Sequence, residues 1–251
     1  MAVTPEGSAA GPEAPTPMTA GPEAPAHAAA PGRGVAFTPD PRRTPGYRVC
    51  RAIFRAVLWL WFRPRVTGRA NVPATGPVIL APVHRSFADF GFAAFVTERK
   101  LFFMAKDDLW SHALLGKLLI TLGAFPVHRE SADREALRHA EAVLKAGQVL
   151  VLFPEGTRQE GPVVNELLEG ATFLAARTGA CIVPIGIGNS DRAMAKGQRI
   201  PKPLTITVEV GEAMAPPERA ASGRVSRSKV RRATEELQGR IQAAYDRARA
   251  R

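Results

Sequence analysis

The sequence predicts an α/β fold, in which a mostly parallel central sheet is flanked by helices. Short apolar runs that are typical of buried strands alternate along the chain with amphipathic helical patterns. This alternation is typical of strand–helix–strand units and a parallel sheet. Hydrophobic residues make up 45% of the 251 residues, which is enough for a sizeable core.

The composition divides the chain into four regions. Residues 1–45 hold ten of the 22 prolines, with many alanines and glycines. Such a segment buries too little apolar surface to offset its ordering entropy, so we expect a disordered tail. We predict an amphipathic membrane-interface helix at residues 46–65, the α/β domain at residues 66–215, and a C-terminal basic helix at residues 216–251.

The first helical pattern, at residues 47–63, has one basic and one apolar face. Arg48, Arg51 and Arg55 share the basic face at helical spacing. The apolar side carries Val49, Ile53, Val57 and Leu60, with Trp59, Trp61 and Phe62 near the end. This pattern is typical of a helix lying in the plane of an anionic membrane. The alternative is a surface helix packed on the core, with its arginines in solvent.

Beyond Pro64, strand and helix patterns alternate, and several predicted helices end at a glycine. The predicted strands are residues 76–83, 100–106, 124–127, 148–155, 181–188 and, near an edge, 204–211. The predicted helices are residues 86–98, 108–123, 131–147, 166–179 and 226–249. Pro184 lies inside the strand at 181–188, which predicts an edge position or a kink beside the site.

The charge and the cysteine content restrict the class of partner. The formal net charge of +11 favours a polyanion, such as an anionic membrane or a phosphorylated small molecule. Nucleic acid is not expected, because the chain has few aromatic residues and none of the common binding motifs. Two cysteines do not form a disulfide framework, so we expect a reducing compartment. No metal-ligand spacing is present, and we expect neither a metal nor a cofactor.

The segment "HRSFADF", residues 84–90, contains a histidine five residues before an aspartate. Ser86 and Asp89 have the spacing of a helix capping box, so the turn into the helix brings Asp89 to His84. A carboxylate on one imidazole nitrogen strengthens the other nitrogen as a base. From spacing alone, a capped helix with an ordinary loop histidine is the stronger alternative.

Cations follow three other predicted strands. The segment "FPEGTR", residues 153–158, places Glu155 and Arg158 around Gly156, and an arginine there can bind a phosphate with two hydrogen bonds. Lys106 and Arg129 follow two further strands. Ligands usually lie at the carboxyl ends of such strands. The alternative for the first segment is a structural Glu–Arg pair in a loop.

Taken in order, H-x-x-x-x-D, G-x-F-x-x-x-R, F-P-E-G-T-R and V-P-I make the chain resemble the glycerolipid acyltransferases. The resemblance covers roughly residues 47–212 and is strongest to the 1-acyl-sn-glycerol-3-phosphate O-acyltransferases. It implies that His84 is the general base and Asp89 its support. It also implies an acceptor phosphate site at Arg129, Glu155, Gly156, Thr157 and Arg158, to which Lys106 is added as a neighbouring cation. Val183, Pro184 and Ile185 would belong to the acyl-chain or acyl-donor site.

The expected reaction is acyl transfer from acyl-CoA or acyl-carrier protein to the hydroxyl of a lysophospholipid. The resemblance implies 1-acyl-glycerol-3-phosphate as the acceptor, giving phosphatidic acid. Three alternatives stay open: another acceptor, such as glycerol-3-phosphate, a different lysophospholipid or a lyso-aminolipid; a non-catalytic protein that binds anionic membrane lipids; and, less favoured, a hydrolase. We expect a peripheral or monotopic protein on the cytoplasmic face of the membrane.

Overall fold

The computed structural model describes residues 44–106, 116, 119–127, 134–194, 200–219 and 225–251. Its seven strands are β1 Arg65–Thr67, β2 Val78–Pro82, β3 Leu101–Lys106, β4 Ala124–Val127, β5 Val149–Val151, β6 Cys181–Gly188 and β7 Thr207–Val210. They form one sheet in the order β1-β7-β6-β2-β5-β3-β4. All neighbours are parallel except β6 and β7. The predicted α/β fold is confirmed.

The described α-helices are α1 Pro45–Phe62, α2 Asp89–Phe92, α3 Arg134–Lys145, α4 Gly170–Thr178, α5 Ser190–Ala193 and α6 Arg227–Arg249. Residues 119–121 are helical as well, but most of the helix predicted at 108–123 lies outside the described residues. So does the predicted disordered tail, apart from its last two residues.

The core lies around the central strands β2, β5 and β6, whose apolar side chains are almost completely buried. Helix α6 covers β6 and buries its own apolar face there, while its basic residues point outward. Gly186 and Gly188 allow this contact, because a Cβ at either position would lie within 2.4 Å of the backbone of α6. The helix therefore rests directly on the strand.

Pro184 does not mark an edge strand, so that prediction is wrong. Strand β6 lies inside the sheet, between β2 and β7. The proline is accommodated because pairing with the β7 side is interrupted there: the β7 ladder begins at Ile185, and the next bridge joins Ile182 to Met214. The Pro184 carbonyl still accepts a hydrogen bond from Gly211. The alternative prediction, a kink beside the site, is not tested by this gap.

Helix α1 is amphipathic, as predicted, and its predicted basic face is divided, because Arg51 and Arg55 contact the protein while Arg48 is exposed. Arg51 is buried, whereas Ile53, Val57 and Leu60 are between 58% and 72% exposed. Arg55 pairs with Glu98 at 2.6 Å. The alternative of a core-packed helix with solvated arginines is therefore wrong for Arg51, whereas Arg48 is exposed as that alternative expects. Within the described residues, no helix combines the length and apolar character required to cross a membrane.

Arg51 attaches α1 to the rest of the fold through carbonyl groups that follow α2. Its guanidinium donates to the backbone oxygens of Ala94 at 2.8 Å and Arg99 at 2.7 Å, and also to that of Thr97. It further donates to the Tyr47 hydroxyl one helical turn earlier, at 3.1 Å. Charged hydrogen bonds of this kind are stronger than neutral ones.

Substituting Arg51→Met is expected to lower the free energy of unfolding by about 3 kcal/mol, because one buried and two partly buried carbonyl groups lose their donor. Urea unfolding followed by circular dichroism measures the change. The matched control is Arg48→Met, at an exposed position of the same helix, which should change stability by less than about 0.5 kcal/mol. Equal effects of the two substitutions would contradict an anchoring role for Arg51.

Candidate active site

The turn between β2 and α2 brings His84 and Asp89 together. Asp89 is completely buried, and its Oδ2 atom lies 3.3 Å from His84 Nδ1. The same oxygen accepts hydrogen bonds from the backbone N–H groups of Arg85 and Ser86, at 2.6 Å each. One carboxylate oxygen thus organises the whole turn, and the contact predicted from the spacing is present.

Among the described residues, His84 has a hydrogen-bonding contact at Nδ1, with Asp89, and none at Nε2. An ionised carboxylate only accepts hydrogen bonds, so Asp89 favours the tautomer with the proton on Nδ1. The Nε2 nitrogen is then the basic one. The ring stacks on Phe153 with their centroids 4.1 Å apart, and the His84 side chain is 11% exposed. This arrangement suits a general base that takes a proton from a bound hydroxyl.

The helix predicted at residues 86–98 is shorter than expected. Helix α2 begins at Asp89 and is followed by a 3₁₀ turn at Ala93–Phe95. The Asp89 carboxylate bonds to Ser86 N–H as in a capping box, but Ser86 Oγ accepts from Ala88 N–H and donates to a carbonyl outside the turn. Beyond Phe95 the chain turns around Arg51 instead of continuing as a helix.

Strand β5 ends at Val151, and residues 152–158 form a loop beside His84. The loop is attached to His84 because the backbone N–H of Gln159 donates to the His84 carbonyl at 2.9 Å. Gly156 has φ +71°, the left-handed region that favours glycine. Thr157 and Arg158 are exposed. Arg158 is therefore accessible to a charged ligand next to the candidate base.

Glu155 is buried and faces the protein interior. Its two oxygens accept from Arg85 Nη1 at 2.9 and 2.8 Å, and Oε1 also accepts from the backbone N–H of His84 at 2.9 Å. Glu155 thus belongs to a structural Glu–Arg pair, which was the alternative interpretation of this segment. Its partner is Arg85 and not Arg158.

The structure describes the remaining predicted site residues to different extents. Lys106 ends β3 at the same sheet edge as His84, but its side chain is outside the described part. Arg129 lies outside the described residues. Val183, Pro184 and Ile185 are buried in β6, and the Ile185 carbonyl accepts from the N–H of Val83, directly before His84.

Arg85 is the residue that sequence reasoning missed. Its guanidinium is fully buried and contacts both Glu155 and the segment at residues 161–163. Nothing in the charge pattern distinguishes this arginine from a solvated one. The available signal was its position inside the histidine–aspartate segment.

A sequence model of the acyltransferase family matches residues 63–188. This segment is half of the chain and contains the His84–Asp89 turn, the Glu155 loop and all of β6. The chain belongs to the acyltransferase family. The resemblance inferred from the four ordered motifs is confirmed.

Curated members of the acyltransferase family include similar proteins from two bacteria. The 1-acyl-sn-glycerol-3-phosphate acyltransferase of Bacillus subtilis is 28% identical over 139 residues, or 55% of this chain and 69% of that protein. The protein of the same name from Streptococcus pneumoniae is 32% identical over 138 residues, or 51% and 50% of the two chains. The chain thus spans between half and about two thirds of the length of these relatives.

A solved acyltransferase structure supports the fold. The 1-acyl-sn-glycerophosphate acyltransferase PlsC from Thermotoga maritima matches with a TM-score of 0.67 and 24% identity. The match covers 82% of this chain and 80% of the other. The acyltransferase family match begins after α1 and ends with β6, so both α1 and α6 lie outside it.

Proposed function

We propose that the protein transfers an acyl group from acyl-CoA or acyl-carrier protein to the free hydroxyl of 1-acyl-sn-glycerol-3-phosphate, giving phosphatidic acid. The observation that carries the proposal is the His84–Asp89 contact at the edge of the sheet, with Arg158 exposed on the adjoining loop. The family membership and the names of the relatives support the choice of reaction and acceptor.

In the proposed mechanism, His84 Nε2 takes the proton of the acceptor hydroxyl. The hydroxyl oxygen attacks the thioester carbonyl carbon and forms a tetrahedral oxyanion. When this intermediate collapses, the carbon–sulfur bond breaks, and the imidazolium returns its proton to the leaving thiolate. The acceptor is itself the nucleophile, so no covalent acyl-enzyme is required. Asp89 stabilises the transient positive charge on the imidazole.

Cations hold the acceptor phosphate and so position its hydroxyl. Arg158 is assigned this role because it is exposed and lies on the loop bonded to the His84 carbonyl. Lys106 and Arg129 are proposed as its partners, since Lys106 ends β3 at this edge and Arg129 follows β4 in the sequence. The amides of Arg85, Ser86 and Ala88 are already hydrogen-bonded within the turn, so they are not the donors to the oxyanion.

The exposed apolar face of α1 is proposed to lie in the membrane surface, on the cytoplasmic side where both thioester donors are found. A lipid acceptor and product would then stay in the bilayer during the reaction. The outward orientation of Ile53, Val57 and Leu60 supports this, because a contiguous exposed apolar face of this kind marks an interaction site. Lipid phosphates are not expected to contact Arg51, which the protein itself binds.

A panel of acceptors tests the proposal. The purified protein is incubated on vesicles with acyl-CoA and, in separate reactions, with lysophosphatidic acid, glycerol-3-phosphate, lysophosphatidylethanolamine and a lyso-aminolipid. We expect kcat/KM to be at least about tenfold higher for lysophosphatidic acid. It combines a doubly charged phosphate monoester, which lysophosphatidylethanolamine and the lyso-aminolipid lack, with an acyl chain that holds it in the vesicle, which glycerol-3-phosphate lacks. A higher value for another acceptor would reassign the substrate. Vesicle binding without transfer to any acceptor would support the non-catalytic alternative.

A further inference from the structure

We infer that Arg85 is a positioning residue that holds the peptide groups of His84 in place, and that helix α6 supports it from outside the family-matched segment. This inference rests on the proposed function, which assigns His84 as the base. Arg85 is not catalytic, because its side chain is fully buried and cannot touch a substrate.

All three guanidinium nitrogens of Arg85 donate to described acceptors. Nη1 donates to both oxygens of Glu155, at 2.9 and 2.8 Å. Nε donates to the Gly161 carbonyl at 3.1 Å, and Nη2 to the Val163 carbonyl at 2.9 Å. A buried ion pair is stable only when its remaining hydrogen-bonding groups are satisfied in this way. The planar fork of arginine reaches these diverging acceptors, whereas a lysine ammonium does not.

The Arg85–Glu155 pair holds His84 by both of its backbone polar groups. Glu155 Oε1 accepts from the His84 N–H at 2.9 Å, and Arg85 Nη1 donates to the His84 carbonyl at 3.2 Å. Asp89 then fixes the imidazole itself. Backbone and side chain of the base are therefore restrained by different partners, and Arg85 is essential to the backbone restraint.

Helix α6 holds the segment to which Arg85 is bonded. Gln242 accepts from the Val164 N–H at 2.7 Å and donates to the Pro162 carbonyl at 3.0 Å. Gln238, one turn earlier, donates to the Val164 carbonyl at 3.0 Å. Residues 162–164 thus follow the surface of α6 through three side-chain hydrogen bonds, and they present the Val163 carbonyl to Arg85.

Tyr245 gives α6 a direct contact with Arg85. The guanidinium carbon of Arg85 lies 5.1 Å from the centre of the Tyr245 ring, within the range of a cation–π interaction. Burial raises the pKa of the Tyr245 phenol, as does the nearby Asp191 carboxylate, so the ring stays neutral beside the charge of Arg85. The close approach of α6 to Gly186 and Gly188 allows Tyr245 to reach the buried guanidinium of Arg85.

Two variants test the inference by steady-state kinetics with lysophosphatidic acid and acyl-CoA. Arg85→Lys keeps the charge but loses the fork, and we expect kcat to fall about 100-fold, as a small misplacement of a catalytic group can do. Its KM for the acceptor should change less than about threefold, because the phosphate cations are untouched. Gln242→Ala keeps the Arg85–Glu155 pair, and we expect an intermediate fall in kcat. The matched control is Arg231→Ala, at an exposed position of α6, which should keep the wild-type kcat.

Nitrogen NMR of histidine-labelled protein tests positioning without relying on turnover. The chain has five histidines, and the His84 signal is assigned as the one missing from a His84→Gln variant. We expect the chemical shifts of the His84 ring nitrogens, recorded at one fixed pH, to change in Arg85→Lys and Gln242→Ala but not in Arg231→Ala. If folded Arg85→Lys and Gln242→Ala proteins retain both the wild-type kcat and these chemical shifts, the inference is overturned. Inactive wild-type protein with the expected NMR changes would reject the proposed function and keep the positioning role.

Discussion

Replacing His84 by alanine is expected to lower kcat for lysophosphatidic acid about 1000-fold, within the range that general-base catalysis contributes. In the proposed mechanism the substitution removes the nitrogen that accepts the hydroxyl proton, while Asp89 keeps its hydrogen bonds to the backbone of the turn. The KM for the acceptor should change little, because Arg158 and its neighbouring cations remain. Transfer of radiolabelled acyl chains on vesicles measures both constants.

The matched control for this substitution is His139→Ala. His139 lies on α3, where its ring contacts Phe125 edge-on with their centroids 5.8 Å apart. Its removal should leave kcat unchanged. Circular dichroism and urea unfolding establish that both variants are folded. A His84→Ala protein with activity within a few-fold of the wild type would exclude His84 as the base.

The double substitution Ile53→Glu with Leu60→Glu is expected to weaken vesicle binding at least about 100-fold. These side chains are 59% and 72% exposed, and burying each in an apolar phase is worth about 1.5 to 3 kcal/mol. Together they supply about 3 to 6 kcal/mol of membrane affinity, and a tenfold change in affinity corresponds to about 1.4 kcal/mol. Sedimentation with phosphatidylglycerol-containing vesicles measures the partition.

The control for the helix substitution must match its change in charge. The double variant adds two negative charges, and Arg231→Glu on the exposed side of α6 changes the net charge by the same amount. We expect this control to bind vesicles nearly as well as the wild type. Equal loss of binding in both proteins would mean that net charge, and not the apolar face of α1, carries the membrane contact.

Local patterns predicted most of the fold, because its strands are short apolar runs and its helices bury one face. Strand β6 begins and ends where the sequence places it, and α6 begins within one residue of the prediction. The strand predicted at residues 148–155 is shorter in the structure, since β5 leaves the sheet at Val151. The loop after Val151 is as apolar as the strand before it, because it too lies beside the core. The sequence therefore does not show where β5 ends.

In the candidate site, contacts between residues close in sequence were predictable. Contacts between residues distant in sequence were not. The His84–Asp89 contact follows from a five-residue spacing and the turn that spacing requires. The partners of Arg85 and Arg51 come from distant parts of the chain, and they decide which arginines are buried. Helical periodicity places Arg51 on a face but does not say which face meets the protein. On α1, Arg51 is buried and Arg48 is exposed although both lie on the predicted basic face.

The pairing of β1 with β7 has a consequence for the order of folding during synthesis. Arg65 of β1 pairs with Thr207 of β7, so β1 has no partner strand in the sheet until β7 has been translated. Contacts so distant in sequence form late, and until then the early segments remain open to other partners. Helix α1 turns its apolar face away from the sheet, so that face needs no later segment of the described chain to cover it. The membrane contact proposed for α1 therefore does not require the strand that completes the sheet to have been made.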